Sequence, residues 1–257
     1  MSNFEFPTEV IGLPSKGLIY PETSPLSKGT IEIKYMTARE EDILSSQNLI
    51  KKGIVLDKLF ESIVVEPGVN IGEISVGDKN AILLATRILG YGAEYNVEVT
   101  DPFTGEQQKV TIDLSKIQTK EIDESKLNKE NRYEFTLPLS KKKIKFKLLN
   151  HKDEIDINAE IQALNRLVKG DNNVSQEVST RLRYMIVEVD GNTDRAFINT
   201  FVKNNLLARD SKSLREYVRT ISPDMDFKYE FTSELTGETE ALDIPFGVGF
   251  FYPTEWL

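Results

Sequence analysis

Short strands are predicted wherever apolar and polar residues alternate along the chain. Residues 30–35 alternate in this way, with Ile31, Ile33 and Tyr35 on one face and Lys34 on the other, the pattern of a half-buried strand. The same alternation flanks turn-forming residues at three later positions. It predicts β hairpins over residues 95–114, 132–149 and 227–244.

A well-capped helix is predicted directly after the first strand. Thr37 and Glu40 have the spacing of a capping box, and Gly53 stands where a left-handed C-cap is expected. Glu40 and its acidic neighbours also place negative charge at the positive end of the helix dipole. A second, shorter helix is predicted over residues 56–65.

Helical periodicity dominates two further parts of the chain. It predicts an apolar core helix over residues 79–89, with Asp78 as N-cap and Gly90 as terminating residue. Between residues 153 and 221 it predicts a compact unit of four antiparallel helices. Their expected boundary residues are Gly170 at the end of the first, Ser175, Thr193 and Asp210 as N-caps of the other three, and Asp190-Gly191 as the C-cap of the second. Residues 170–173 are expected to form a turn.

These elements predict a mixed α+β fold in which β hairpins carry an inserted helical bundle. We expect four units along the chain: an N-terminal arm (1–30), a unit of strand, helices and β hairpins (31–150), a helical bundle (151–222), and a C-terminal hairpin with an aromatic tail (223–257).

Two of the predicted hairpins have matching turns, Asp101-Pro-Phe-Thr-Gly105 and Ser233-Glu-Leu-Thr-Gly237. Their spacing is that of a zinc knuckle, CxxCG, without the cysteines. Two interpretations are open: ordinary Thr-Gly hairpins, or a C-terminal ribbon-like hairpin that lacks zinc and is held by side-chain hydrogen bonds. The second predicts that the two hairpins pack against each other although they are far apart in sequence.

The composition removes most catalytic chemistry. The 257 residues include no cysteine and one histidine, His151. The lack of cysteine excludes a thiolate nucleophile, and a single histidine makes a His-based metal site or a His-dependent triad very hard to build. Phosphate loops, dinucleotide-binding glycine motifs, HExxH and GxSxG are also missing. We therefore expect no enzymatic activity, no cofactor and no catalytic, cofactor-binding or metal-binding residues.

Five lysines lie in or next to one predicted strand and could form a nucleic-acid-binding surface. They are Lys141, Lys142, Lys143, Lys145 and Lys147. They could contact phosphates, or mark a solvated edge strand that blocks unwanted pairing. No aromatic residue shares their face, and the net charge is −9, so no nucleic-acid partner is expected. The chain also has no apolar run of about 20 residues and no signal-peptide pattern. We expect no membrane partner and synthesis in the cytoplasm.

Two aromatic segments are the candidate partner-binding sites. The first is the proline-rich arm, which either wraps over its own domain or docks on a neighbouring subunit. The second is the C-terminal tail, which either completes the protein's own core or docks on a partner. The predicted partner-binding residues are Phe4, Phe6, Leu18 and Tyr20 in the arm and Phe250, Phe251, Tyr252 and Trp256 in the tail.

Two stretches carry a resemblance to a known family. Residues 13–20 (LPSKGLIY) with residues 29–44 (GTIEIKYMTAREEDIL), and residues 245–256 (PFGVGFFYPTEW), resemble the terminal signatures of T4-type bacteriophage baseplate hub assembly proteins. The resemblance is specific only at the two ends of the chain. It implies a structural or assembly role in a contractile-tail baseplate hub, through association with other hub or tail proteins and without catalysis.

Within that role several alternatives are open. The protein is either a hub component that stays in the virion tail baseplate or a transient assembly chaperone that acts in the host cytoplasm and leaves. A nucleic-acid-binding adaptor is a third, disfavoured alternative. The sequence leaves self-association open.

Overall fold

A computed structural model describes residues 7–167, 176–245 and 248–251. These residues form four small antiparallel sheets and eight α-helices, which confirms the predicted mixed α+β class. Three of the sheets are two-stranded hairpins and one has three strands. The strands are β1 (Thr8–Gly12), β2 (Thr30–Lys34), β3 (Glu94–Thr100), β4 (Gln107–Asp113), β5 (Tyr133–Thr136), β6 (Lys143–Phe146), β7 (Ile186–Val189), β8 (Lys228–Thr232) and β9 (Thr239–Asp243).

The helices lie mainly between the hairpins. They are α1 (Ala38–Ser45), α2 (Gln47–Lys52), α3 (Val55–Ile63), α4 (Val76–Tyr91), α5 (His151–Leu167), α6 (Glu177–Met185), α7 (Arg195–Asn204) and α8 (Ala208–Ile221). Short 3-10 turns lie in several of the connections between elements, and one at Val248–Phe251 is the last described segment.

The N-terminal unit largely has the predicted local structure. Strand β2 forms as expected and pairs with β1, which is built from the arm itself. The prediction of one long helix after β2 is wrong, because extended backbone at Ser46 (φ −67°, ψ 102°) separates two helices, α1 and α2. Gly53 ends α2 in the left-handed conformation (φ 68°), as predicted.

Helix α4 is longer than predicted at both ends. Its N-cap is Ser75, whose hydroxyl accepts from the Asp78 backbone N–H, so the prediction of Asp78 as N-cap is wrong. Gly90 does not end the helix either, since α4 continues to Tyr91 and Gly92 caps it. Gly90 instead makes room for Met36, because a Cβ there would lie 2.2 Å from the Met36 Cε.

The lysine-rich strand β6 is the central strand of its sheet, with β5 on one side and β7 on the other, so the edge-strand prediction is wrong. The reason is β7, which was predicted as the last turn of a helix. Helix α6 stops at Met185, and the next four residues form β7, which pairs with β6 through Ile186, Glu188 and Val189. Asp190 and Gly191 (φ 50° and 83°) then form a turn and not a helix C-cap.

Two further N-cap predictions are corrected. Asp194, not Thr193, caps α7, accepting from the Phe197 backbone N–H at 2.8 Å. Helix α8 begins before Asp210, which lies in its first turn and is fully buried. The predictions for Gly170, Ser175 and the turn at residues 170–173 lie outside the described residues.

One buried hydrophobic cluster contains residues from all parts of the described chain, from Leu13 to Phe251. Helix α4 has a central place in it and contacts β1, α3, α5 and the Val248–Phe251 turn. The packing therefore connects the predicted units, and their boundaries stay a prediction.

Candidate interaction site

The two matched turns adopt the same backbone structure. In the first, the Gly105 N–H donates to the Asp101 carbonyl oxygen, and in the second the Gly237 N–H donates to the Ser233 carbonyl oxygen, at 2.8 and 2.9 Å. Gly105 and Gly237 have φ of 78° and 73°, which a residue with a side chain rarely adopts. The shared Thr-Gly spacing therefore corresponds to the same turn conformation in both hairpins.

The turns contact each other directly. The Ser233 hydroxyl donates to the Asp101 carboxylate at 2.6 Å, and both side chains are 1% exposed. Gln108 in β4 completes the contact, because its amide donates to the Thr232 carbonyl oxygen at 2.9 Å and accepts from the Glu234 backbone N–H at 3.0 Å. The predicted packing of the two hairpins, 132 residues apart at this bond, is confirmed.

Asp101 organises its own turn as well as the contact. Its carboxylate accepts the Phe103 and Thr104 backbone N–H groups at 2.8 and 3.2 Å. Desolvation raises the pKa of Asp101, but these bonds and the one from Ser233 outweigh it, so the pKa is lowered overall. An ionised carboxylate therefore stands where a zinc knuckle has its first sulfur. No cluster of three or more metal-ligand side chains occurs among residues 7–167, 176–245 and 248–251.

The third residue of each turn is apolar and exposed. Phe103 is 38% exposed and Leu235 is 67% exposed. We call residues 101–105 and 233–237 together the hairpin tip. Its rim carries Glu106, Glu234 and Glu238, all exposed, and none of them has an ion pair within the described chain. Sequence reasoning missed this surface, although the equivalent placement of Phe103 and Leu235 is visible in the two turn sequences.

The described residues of the N-terminal arm pack on their own chain. Tyr20 is buried, and its hydroxyl donates to the Asp78 carboxylate at 2.5 Å and accepts from the Ser75 N–H at 2.9 Å. Burial raises the pKa of Tyr20 well above its usual value, and the Asp78 charge adds to this rise. Leu18 is half-buried. The arm therefore caps the start of α4, while Phe4 and Phe6 lie outside the described residues.

The start of the C-terminal tail is anchored in the core. Phe250 and Phe251 are 1% and 0% exposed, so their rings are not available at the surface. Buried Arg87 in α4 donates through Nε to the Phe250 carbonyl oxygen at 2.7 Å, and its other nitrogens donate to the Gly92 and Glu94 carbonyl oxygens. Tyr252 and Trp256 lie outside the described residues, and partner binding by the tail stays a prediction.

Three of the five lysines in and beside β6 form ion pairs with acidic side chains. Lys145 lies 3.0 Å from Glu188, and Lys147 lies 2.6 Å from Asp153. Lys142 lies 2.9 Å from Asp190, in the turn after β7. This pairing reduces the positive charge available for phosphates.

His151, the single histidine, is buried at the start of α5 and packs edge-on against Phe60, with ring centroids 4.8 Å apart. Its Nδ1 lies 3.7 Å from Asp57, whose carboxylate pairs with Lys79 at 2.7 Å. Burial lowers the pKa of His151, and the Lys79 charge lowers it further. Neither ring nitrogen has a hydrogen-bond partner among the residues that the structure describes, and the position of the ring is that of a core residue.

Comparison with protein families bears on the region that holds the first turn. Residues 18–132 match the family model described as T4 bacteriophage base plate protein. The chain resembles a T4-type phage baseplate protein. No significant match was found among curated proteins or among solved structures.

The baseplate match covers some of the candidate surfaces and not others. It covers Tyr20, α4 with Arg87 and the first turn of the hairpin tip, whereas the second turn and helices α5–α8 follow it in the chain. None of the helices in the described segments is long and apolar enough to cross a membrane.

Proposed function

We propose that this chain is a structural or assembly protein of a phage contractile-tail baseplate hub and acts by protein–protein association. The match of residues 18–132 to the baseplate family carries the proposal. The likeness of residues 13–44 and 245–256 to the hub assembly family supports the narrower assignment to the hub.

The arrangement of buried polar groups supports a role without catalysis. Asp78 is bound by Tyr20 and the arm, and Asp101 by Ser233 and its own turn. Each carboxylate accepts hydrogen bonds from donors in another element of the fold and so helps to hold those elements together. The proposed partner-binding segment is the aromatic tail that follows Phe251, and the partners are other hub or tail proteins.

Quantitative mass spectrometry of particles and of assembly intermediates from infected cells tests the proposal. We expect peptides of this chain in purified virions at a fixed ratio to known tail proteins. Peptides in hub intermediates but not in virions would instead favour the transient assembly chaperone. If the chain is missing from both fractions, the proposed function is wrong.

A further inference from the structure

A second exposed apolar site lies at the start of α8. The turn between β5 and β6 docks there, because the buried Asp210 carboxylate accepts the Leu139 and Ser140 backbone N–H groups at 2.7 and 3.0 Å. Leu139 is 52% exposed, and Leu207, the residue before α8, is 44% exposed. Two large apolar side chains thus stay exposed to solvent, and both are close in sequence to the residues of this contact.

The charge around this second site is opposite to that of the hairpin tip. Lys141, Arg209 and Lys212 are exposed, and each lies within two residues in sequence of Ser140 or Asp210, which form this contact. Among the described residues only Lys212 of these three has an ion pair, a distant one to Glu216 at 3.8 Å. We call these three residues with Leu139 and Leu207 the basic patch. It stands out in a chain whose net charge is −9.

The two surfaces are complementary in both apolar character and charge. The hairpin tip has exposed Phe103 and Leu235 beside exposed glutamates, and the basic patch has two exposed leucines together with exposed lysine and arginine side chains. Opposite charges beside apolar side chains bring two proteins together and select the docking register. We propose that the hairpin tip of one copy docks on the basic patch of a second copy.

The proposed contact is head-to-tail, because each copy contributes a different surface. Such contacts close into rings or extend into filaments, whereas a two-fold dimer uses one surface twice. The tip comprises two five-residue turns, fewer than the roughly 20 residues per side of a standard interface. Association is therefore expected to be weak and to depend on protein concentration and on salt. This inference goes beyond the proposed function and does not depend on it.

A nucleic-acid ligand fits the basic patch less well. No exposed aromatic residue lies on the outer face of α8 to stack a base, since Tyr217 is half-buried and stacked on Phe135 with centroids 4.9 Å apart. The apolar centre of the patch also has no role in contacting phosphates. A protein surface with carboxylates around apolar side chains can contact both the basic side chains and the two leucines of the patch.

Sedimentation velocity of the purified full-length protein, from about 10 µM to about 1 mM, tests the contact. We expect the average sedimentation coefficient to rise with concentration, and the association constant to fall about tenfold or more when salt is raised from about 0.05 M to about 0.5 M. A tip-reversed variant, E234K/E238K, and a patch-reversed variant, R209E/K212E, should each remain monomeric. Leu235→Ser should weaken association without any change of charge.

The decisive measurement mixes the two reversed variants. The basic tip of the first then meets the acidic patch of the second, and their two unchanged surfaces also match, so the mixture should associate although neither variant does alone. Control variants E121K/E130K and K51E/K52E carry the same charge changes at exposed positions outside both surfaces and should behave as the unmodified protein.

Three results would overturn the proposal. The first is an unmodified protein that stays monomeric at every concentration tested. This result would overturn the proposal even if that protein bound duplex DNA through the basic patch. The second is self-association that neither reversal weakens. The third is a mixture that stays monomeric, in which case the tip binds something other than the patch.

Discussion

Glu40 is a buried carboxylate that joins α1 to its neighbours through hydrogen bonds. It accepts the Thr37 N–H and hydroxyl at 2.9 and 2.7 Å, the contact that the Thr-x-x-Glu spacing predicts. The spacing did not reveal that Glu40 is fully buried, or that Lys34 and Ser62 donate to its other oxygen at 2.7 and 2.6 Å. Strand alternation had placed Lys34 in solvent, but an ion pair with a buried carboxylate reverses that preference.

The burial of Glu40 predicts a specific pH dependence. Desolvation raises its pKa, but the bonds from Lys34, Ser62 and Thr37 outweigh this and lower the pKa from its usual 4.5 to about 2. Because the folded pKa is depressed, the stabilisation is complete above pH 4.5 and is lost as the pH falls toward 2. At neutral pH it amounts to about 3 kcal/mol.

Glu40→Gln should therefore lower the free energy of unfolding by about 3 kcal/mol at pH 7 and by progressively less between pH 4.5 and pH 2. Urea unfolding across this pH range measures the difference. Glu61→Gln, which breaks an exposed pair with Lys58, is the matched control and should have little effect at any pH. A constant difference between the unmodified protein and Glu40→Gln would show that Glu40 ionisation does not stabilise the fold.

At the scale of elements, local patterns predicted hairpins better than they predicted helix ends. Each of the three predicted hairpins is present, because alternation and turn residues lie close together in sequence. Strand β7 was missed, since four apolar and acidic residues after a helix read equally well as its last turn. What makes them a strand is the edge of β6, more than 40 residues earlier, and no local pattern contains that contact.

The paired turns predict that a zinc site can be installed. Cysteines at Asp101, Thr104, Ser233 and Thr236 would restore both CxxC spacings, and the contact between Asp101 and Ser233 already brings two of these positions together. We expect the D101C/T104C/S233C/T236C variant to bind one zinc ion and to melt at a higher temperature with zinc than without it.

Elemental analysis of the unmodified and the four-cysteine proteins, purified in parallel, is the measurement. The variant D101C/T104C has a single CxxC turn, serves as the control and should bind zinc weakly. Stoichiometric zinc in the unmodified protein would contradict the interpretation of a turn pair held by hydrogen bonds. A four-cysteine protein that folds without binding zinc would show that the four positions do not converge.

At the scale of the whole molecule, α4 binds both the N-terminal arm and the start of the C-terminal tail, so that both pack on one core. The arm binds its first turn through Tyr20 and Asp78, and Arg87 near its last turn holds the Phe250 carbonyl oxygen. The sequence marked both ends as aromatic segments but could not decide between core and interface, since aromatic residues dominate both. Phe250 and Phe251 belong to the core, so a docking role for the tail now rests on the residues that follow them.

The last prediction separates these two parts of the tail. Phe250→Ala removes a fully buried ring beside Arg87 and should destabilise the protein by about 3–5 kcal/mol. Deleting residues 254–257, which include Trp256, should leave the melting temperature nearly unchanged and abolish co-purification with hub proteins, because a tryptophan is a common interface anchor. Thermal melts of the purified variants and pull-downs from infected cells measure the two effects. A deletion that lowers the melting temperature as much as Phe250→Ala would assign these residues to the core, and one that still co-purifies fully would show that residues 254–257 do not bind the hub proteins.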